Sequence, residues 1–419
     1  MHRPFRGRTV LPVIGAMLLV AGCATTKPST SSSSGPLKTG PGVTATTITL
    51  GVLSDRTGPF ASAGTAIELG RQLFWDAQNN QGGVCSRTVT FTVKDHGYKT
   101  DQAVTAYAQI KDGVLALDEL LGSPEIAALS DTIKEDHMPT LAVSWSSALL
   151  SNPYVIIAGT TYDVEMINAV SWLMQNKGLA KGDKVGHVYL EGDYGGNALT
   201  GSKAAAVQYG LSIVDAKIKT TDTDLTAQVT ALHGQGVTFV LLSGSPAQTA
   251  SAVSVAEANG FDMTFVGSNP SFSPALLAGP AKAALEKRFY VVASTAPYAS
   301  TEPGPTKLRT ELAAKFPDQA TKASAFVVYG YGQGMIMYKV MAAACANGAL
   351  TRDGLLTAFH GLTTVQTDGL IAALDYSRPG QIPARQVYVV QPDSTVPGGL
   401  RQVQGLFVAP YAATYTPAN

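Results

Sequence analysis

The chain predicts an α/β protein built as two parallel-sheet units in series, and three observations carry that prediction. From Ile48 onward, short apolar runs of strand length alternate with segments of helical periodicity, the pattern of strands joined by crossover helices. The alternation runs through to about Val143 and starts again near Asp163. With 45% hydrophobic residues over 419 positions there is apolar material for two cores.

The first segment is a processing signal. Arg3, Arg6 and Arg8 precede an apolar run from Thr9 to Val20, about the length of a signal-peptide core and short for a bilayer span. Val20-Ala21-Gly22-Cys23 matches the bacterial lipobox, which predicts a signal over residues 1–22 and a lipid anchor on Cys23. An ordinary secretory signal ending near a cysteine is the competing reading. Ala24 to Thr46 is rich in Ser, Thr, Pro and Gly, so residues 23–46 are predicted to be a lipidated cysteine and a flexible tether spanning on the order of 25 Å.

In the first unit, strands are predicted over Ile48 to Leu53, Val89 to Val93, Val114 to Leu121 and Thr140 to Val143. Helices are predicted over Ala63 to Asn79, Asp101 to Lys111 and Glu125 to Asp136. Thr57-Gly58-Pro59 and Gln81-Gly82-Gly83 supply the turns. The second unit repeats the logic with helix Val164 to Asn176, strand Lys184 to Leu190, helix Gly195 to Tyr209, strand Ser212 to Ile218 and helix Leu225 to Gln235. Strand Val237 to Leu242, helix Ala247 to Asn259 and strands Thr264 to Val266 and Phe289 to Ala293 complete it. Helices over Thr306 to Lys315, Ala323 to Ala346 and Arg352 to Phe359 follow, then strands around Ile371 to Tyr376, Gln386 to Val390 and Leu400 to Val408. A chain that returns to the first unit and finishes on the second satisfies both sheets.

Thirty basic and thirty acidic residues leave no basic field for nucleic acid, and charged residues are only 14%. Selectivity is therefore expected from hydroxyls and backbone groups. There is no G-x-S-x-G, H-E-x-x-H, C-x-x-C or G-x-G-x-x-G, so neither an enzyme nor a cofactor is expected. Gly196 to Lys203 comes nearest to a phosphate loop, but the lysine stands one place late. His96, His137, His187, His233 and His360 are scattered without metal-ligand spacing, so no metal is expected. Cys85 and Cys345 remain once Cys23 is lipidated; outside the cytoplasm they form a disulfide or stay as two buried thiols.

Leu53-Ser54-Asp55-Arg56-Thr57-Gly58-Pro59-Phe60-Ala61-Ser62-Ala63-Gly64, followed by Gly70, resembles the start of the type 1 solute-binding proteins of ABC importers, the leucine/isoleucine/valine-binding family. Asn80-Gln81-Gly82-Gly83, Asp95 with Gln102-Ala103-Val104, Asp193-Tyr194-Gly195, Ala258-Asn259-Gly260 and Ala325 to Tyr331 are similar in order and spacing, from Ile48 to Ala409. The resemblance implies two doubly wound, Rossmann-like lobes joined by three crossovers, near Gly159 to Asp163, Ala293 to Pro297 and Thr364 to Leu370. Residues 47–162 plus 295–366 would then form lobe I, 163–294 plus 367–410 lobe II, and 411–419 a tail. It also puts Cys85 and Cys345 in one lobe, favouring a disulfide.

By the same resemblance, the solute lies between the lobes at the carboxyl ends of the strands. Ser123, Ser144 and Ser146 are expected to offer hydroxyls beside helix-start N–H groups, or else to act as helix caps. Trp145 is expected to stack on the ligand or to pack. Tyr194, Ser245 and Asn269 are expected from lobe II. Asn269 stands where amino-acid binders of the family carry an acid for the ammonium group; an amide reads a cation poorly, and Asp262 is the nearest acidic neighbour. The expected function is capture of a small polar solute (an amino acid, an amide or an organic acid) by a monomer that delivers it to ABC permease subunits. The protein would be lipid-anchored on the outer face of the cytoplasmic membrane. A sensor signalling through a partner is the alternative.

Overall fold

The computed structural model describes residues 36–321 and 323–417 of the chain. The predicted signal and Cys23 lie outside them. The chain enters through β1 (Lys38–Thr39), then β2 (Thr47–Ser54), α1 (Ala61–Asn80), β3 (Thr88–Asp95), α2 (Thr100–Ile110), β4 (Leu117–Leu121), α3 (Ser123–Glu135), β5 (Thr140–Val143) and β6 (Val155–Ile157). It crosses to a second lobe with α4 (Tyr162–Asn176), β7 (Lys184–Leu190), α5 (Asp193–Tyr209), β8 (Ser212–Ile218), α6 (Thr226–Gly234), β9 (Phe239–Ser243), α7 (Pro246–Ala258), β10 (Thr264–Gly267), α8 (Lys282–Arg288) and β11 (Phe289–Ala293). The chain then returns with α9 (Pro303–Lys315), α10 (Pro317–Ala320), α11 (Ala325–Ala346), β12 (Ala349–Leu350) and α12 (Arg352–His360). It ends on the second lobe with β13 (Val387–Pro392), β14 (Leu400–Phe407) and α13 (Pro410–Thr414).

Lobe I carries a parallel sheet of order β3-β2-β4-β5-β6, and lobe II a seven-stranded sheet of order β14-β13-β11-β10-β9-β7-β8. The lobe II strands up to β11 pair in parallel; β13 and β14 join antiparallel. This is the two-lobed α/β architecture expected. In both sheets the central strands are buried on both faces, which is why they read as continuous apolar runs rather than as alternating ones.

The two longest helices of lobe I, α1 and α11, approach backbone to backbone. A Cβ on Gly70 would stand 2.1 Å from the Val327 carbonyl oxygen, and one on Gly330 2.1 Å from that of Ile67. Glycine is required at both places by the closeness of the helices. α11 has an apolar circumference and is buried along most of its length because it lies between that partner helix and the sheet. Beside its carboxyl end, Cys345 is disulfide-bonded to Cys85, with Cα atoms 6.4 Å apart.

Several expectations need correction. The expected flexible tether over residues 23–46 does not extend through its second half: β1 pairs in parallel with β12, and Thr49 N–H donates to the Gly42 carbonyl, so the chain is built onto lobe I from residue 38. The third crossover comes after Thr364 to Leu370. Asp368 and Gly369, both at positive φ, reverse the chain so that Leu374 bridges back to Val365, and Tyr376 bonds to the Ile157 carbonyl of lobe I. Contact with lobe II is made at Ala384, which bridges Thr160, and at Arg385, whose carbonyl accepts from Asn168. Ile371 to Tyr376 forms single bridges instead of the predicted strand, since its partners Thr295 and Val365 belong to different segments. The expected tail docks: Ala412 is buried, and the Arg385 guanidinium donates to the Ala412 and Tyr415 carbonyls.

Candidate functional site

The loop after β2 is folded by Asp55, whose carboxylate accepts from the N–H groups of Thr57 and Phe60 at 3.2 and 2.8 Å. That turn points Phe60 into the space between the lobes. There it meets Tyr98, at a ring separation of 4.7 Å, and Tyr194 of lobe II at 6.3 Å. Tyr162, at the first crossover, lies 4.6 Å from Tyr194 and 5.9 Å from Trp145. With Ser123 and Phe326 these rings line a narrow chamber at the carboxyl ends of the lobe I strands.

Both lobes contribute to its walls, and they touch beside it. Asn197 of α5 donates to the Ser147 hydroxyl at 2.7 Å, and Ser147 donates in turn to Asp163 at 2.6 Å. No charged side chain lines the chamber. Its polar end is the start of α3, where Ser123 is the first helical residue and its Oγ lies 2.6 Å from that of Ser144. The N-cap position belongs to Gly122, at φ 109°, so Ser123 does not cap its helix.

Glycine suits this position twice over: φ is positive, and the Glu125 carboxyl folds back to within 1.9 Å of where a Cβ would stand. Burial, with a smaller push from Asp55, raises the Glu125 pKa to about 7, and both its oxygens are buried without a partner. On the other side, Glu165 of α4 is fully buried and accepts from the Asn269 N–H at 3.2 Å. Desolvation holds its pKa well above the usual carboxylate range.

Of the residues expected at the site, Ser123, Trp145 and Tyr194 line the chamber. Trp145 is also packed, its Nε1 donating to the Ala158 carbonyl and its ring 5.0 Å from Tyr329. The Tyr194 hydroxyl is held 2.6 Å from Ser268 Oγ. Ser144 lies one layer back, bonded to Ser123, and Ser146 is fully buried with an unpartnered hydroxyl but does not face the chamber. Ser245 does not line it either: its hydroxyl caps α7 in a reciprocal pair with Gln248. Asn269 borders a second, neighbouring chamber. Asp262 is exposed and faces Arg288 on the outside.

Phe60, Tyr98, Tyr162, Phe326, Glu125 and Glu165 were not anticipated as site residues. Tyr98 follows β3 directly, so the strand-end rule applied to every lobe I strand finds it. Among the described residues no cluster of side chains is suited to a metal ion, and no helix is long and apolar enough to cross a membrane.

Two α/β lobes that close over an uncharged chamber define a solute-binding protein of the two-lobed class. The chain belongs to the periplasmic binding protein family, whose profile matches residues 47–397. These are extracytoplasmic solute-binding proteins, not a family of enzymes. A fatty acid ABC transporter substrate-binding protein from Thermomonospora curvata superimposes with a TM-score of 0.88 at 41% identity, covering 90% of this chain and 97% of that one. A branched chain amino acid ABC transporter protein from Thermus thermophilus with bound valine shares the fold, with a TM-score of 0.75, 19% identity and coverage of 89% and 99%. A Leu/Ile/Val-binding protein homolog of Brucella melitensis is 26% identical over 208 residues, 48% of this chain. The chain spans 55% of that relative's length.

Proposed function

We propose that the protein captures a carboxylic acid with an apolar body between its lobes and delivers it to an ABC permease. The observation that carries this reading is the chamber itself: aromatic and aliphatic walls, hydroxyls gathered at the start of α3, and no charged side chain lining it. The apolar body is desolvated against the rings, and the carboxylate lies at the positive end of a 13-residue helix beside Ser123. Glu125 is compatible with an anion there because, with its pKa at about 7, it keeps its proton in mildly acidic solution and donates instead of repelling. The amide at Asn269 and the absence of an acidic side chain from the lining leave an ammonium group without a charged partner. This narrows the expected polar solute to an organic acid, and the 41% identical fatty acid-binding relative supports it.

Calorimetry with octanoate, leucine and leucinamide tests the reading. Octanoate is expected to bind and leucine to bind far more weakly; the reverse order overturns it. The lipid anchor on Cys23 is part of the same proposal. Labelling of the wild-type protein, but not of Cys23→Ser, by a radioactive fatty acid checks it.

A further inference from the structure

The second chamber, a narrow one, lies where the ends of β10, β11 and β13 face the first turn of α11, and Phe326 borders both chambers. Its walls are mainly apolar, with Phe272, Val291 and Leu400 among them. Two side chains contradict that character. Asn269 is 7% exposed and Thr295 3%, both line this chamber, and neither the Asn269 Nδ2 nor the Thr295 Oγ1 has a hydrogen-bond partner in the protein. A buried polar group left unpaired costs about 1–3 kcal/mol, so Leu and Val at these positions would give a more stable lobe II. The two atoms gain a partner when a polar group enters the chamber.

We propose that the second chamber is a subsite for an uncharged oxygen at the far end of the ligand, a hydroxyl or carbonyl held by Asn269 and Thr295. The preferred ligand class is then an ω-hydroxy or oxo carboxylic acid whose apolar spacer passes Phe326. This rests on the carboxylic-acid reading of the first chamber. A second carboxylate is disfavoured because no Lys or Arg lines either chamber, and an unpaired buried anion is costly.

The test is calorimetric comparison of octanoate, decanoate and dodecanoate with their ω-hydroxy counterparts. At the chain length that spans both chambers, the hydroxy acid should bind about 3- to 10-fold more tightly, the worth of one net hydrogen bond. In Thr295→Val and Asn269→Leu that ratio should fall to near one, while Thr295→Ser retains it. Equal affinities at every chain length, or a ratio that survives both substitutions, overturn the subsite while leaving the first chamber's reading intact. Failure of all six acids to bind overturns the carboxylic-acid reading, and this proposal with it.

Discussion

A buried ion cluster in lobe I leaves several polar atoms unpartnered, whereas a buried histidine in lobe II is satisfied at both ring nitrogens. Beneath the lobe I sheet, Arg71 of α1 is ion-paired with Glu119 of β4 and lies 3.9 Å from Asp118, all three almost fully buried. One guanidinium nitrogen, both Asp118 oxygens, one Glu119 oxygen and the nearby Ser54 hydroxyl have no partner. Burial raises the Asp118 pKa to about 7, as it does for Glu125. In lobe II, His187 is fully buried between Ser202 and Ser243, at 2.8 and 3.0 Å from its two ring nitrogens, and desolvation lowers its pKa to about 3.

The two sites therefore answer pH with opposite sign. A raised carboxyl binds a proton in the native state that the unfolded chain has lost, so the contribution of Glu125 falls as pH rises from about 4.5 to 7. The imidazole refuses a proton that the unfolded chain accepts, so the contribution of His187 falls as pH drops below 6.5 towards 3. Between those limits the terms oppose each other.

Removing the cation should have the largest effect. Arg71→Met leaves Glu119 and Asp118 facing each other in the core and should cost about 3–5 kcal/mol, read from urea melts. Next comes Glu125→Gln, which removes a titrating group. The stability lost between pH 5 and pH 8 should shrink by up to about 3 kcal/mol, since one pKa unit is worth about 1.4 kcal/mol. An unchanged pH profile would show that Glu125 is ionised in the native protein. His187→Leu strips a partner from Ser243 and should cost about 1–3 kcal/mol at pH 7, while flattening the acid limb of the profile. The smallest change is Ser245→Ala, worth about 1 kcal/mol in thermal melts through the lost cap. It should leave octanoate affinity alone, whereas a drop in affinity would restore Ser245 to the cleft.

Strand positions were legible wherever a strand is central and apolar. Thr140–Val143, Lys184–Leu190 and Phe289–Ala293 fall where the apolar runs placed them. The edge strand Val155–Ile157 was missed because three residues after a proline carry no periodicity. Ser123, Trp145 and Tyr194 could be anticipated because each follows a strand of its own lobe. Tyr162 and Phe326 could not, since they reach the chamber from a crossover and from a returning helix, segments remote in the chain. Ser245 misled for a related reason. A serine after a strand and before a helix has the same local sequence whether it faces a ligand or its own helix, and only the neighbouring Gln248 decides.

The pairing of β1 with β12 determines how the molecule bears load. A pull on the amino end of β1 runs along the strand, so the hydrogen bonds from Lys38 N–H to Gly348 and from Gly40 N–H to Leu350 are sheared together instead of peeled one after the other. Just upstream, the Cys85–Cys345 bond ties the end of α11 to the connection after α1, which carries the force into lobe I through a covalent link. A load entering at residue 38 is therefore borne first by lobe I, and lobe II receives it only through the three crossings.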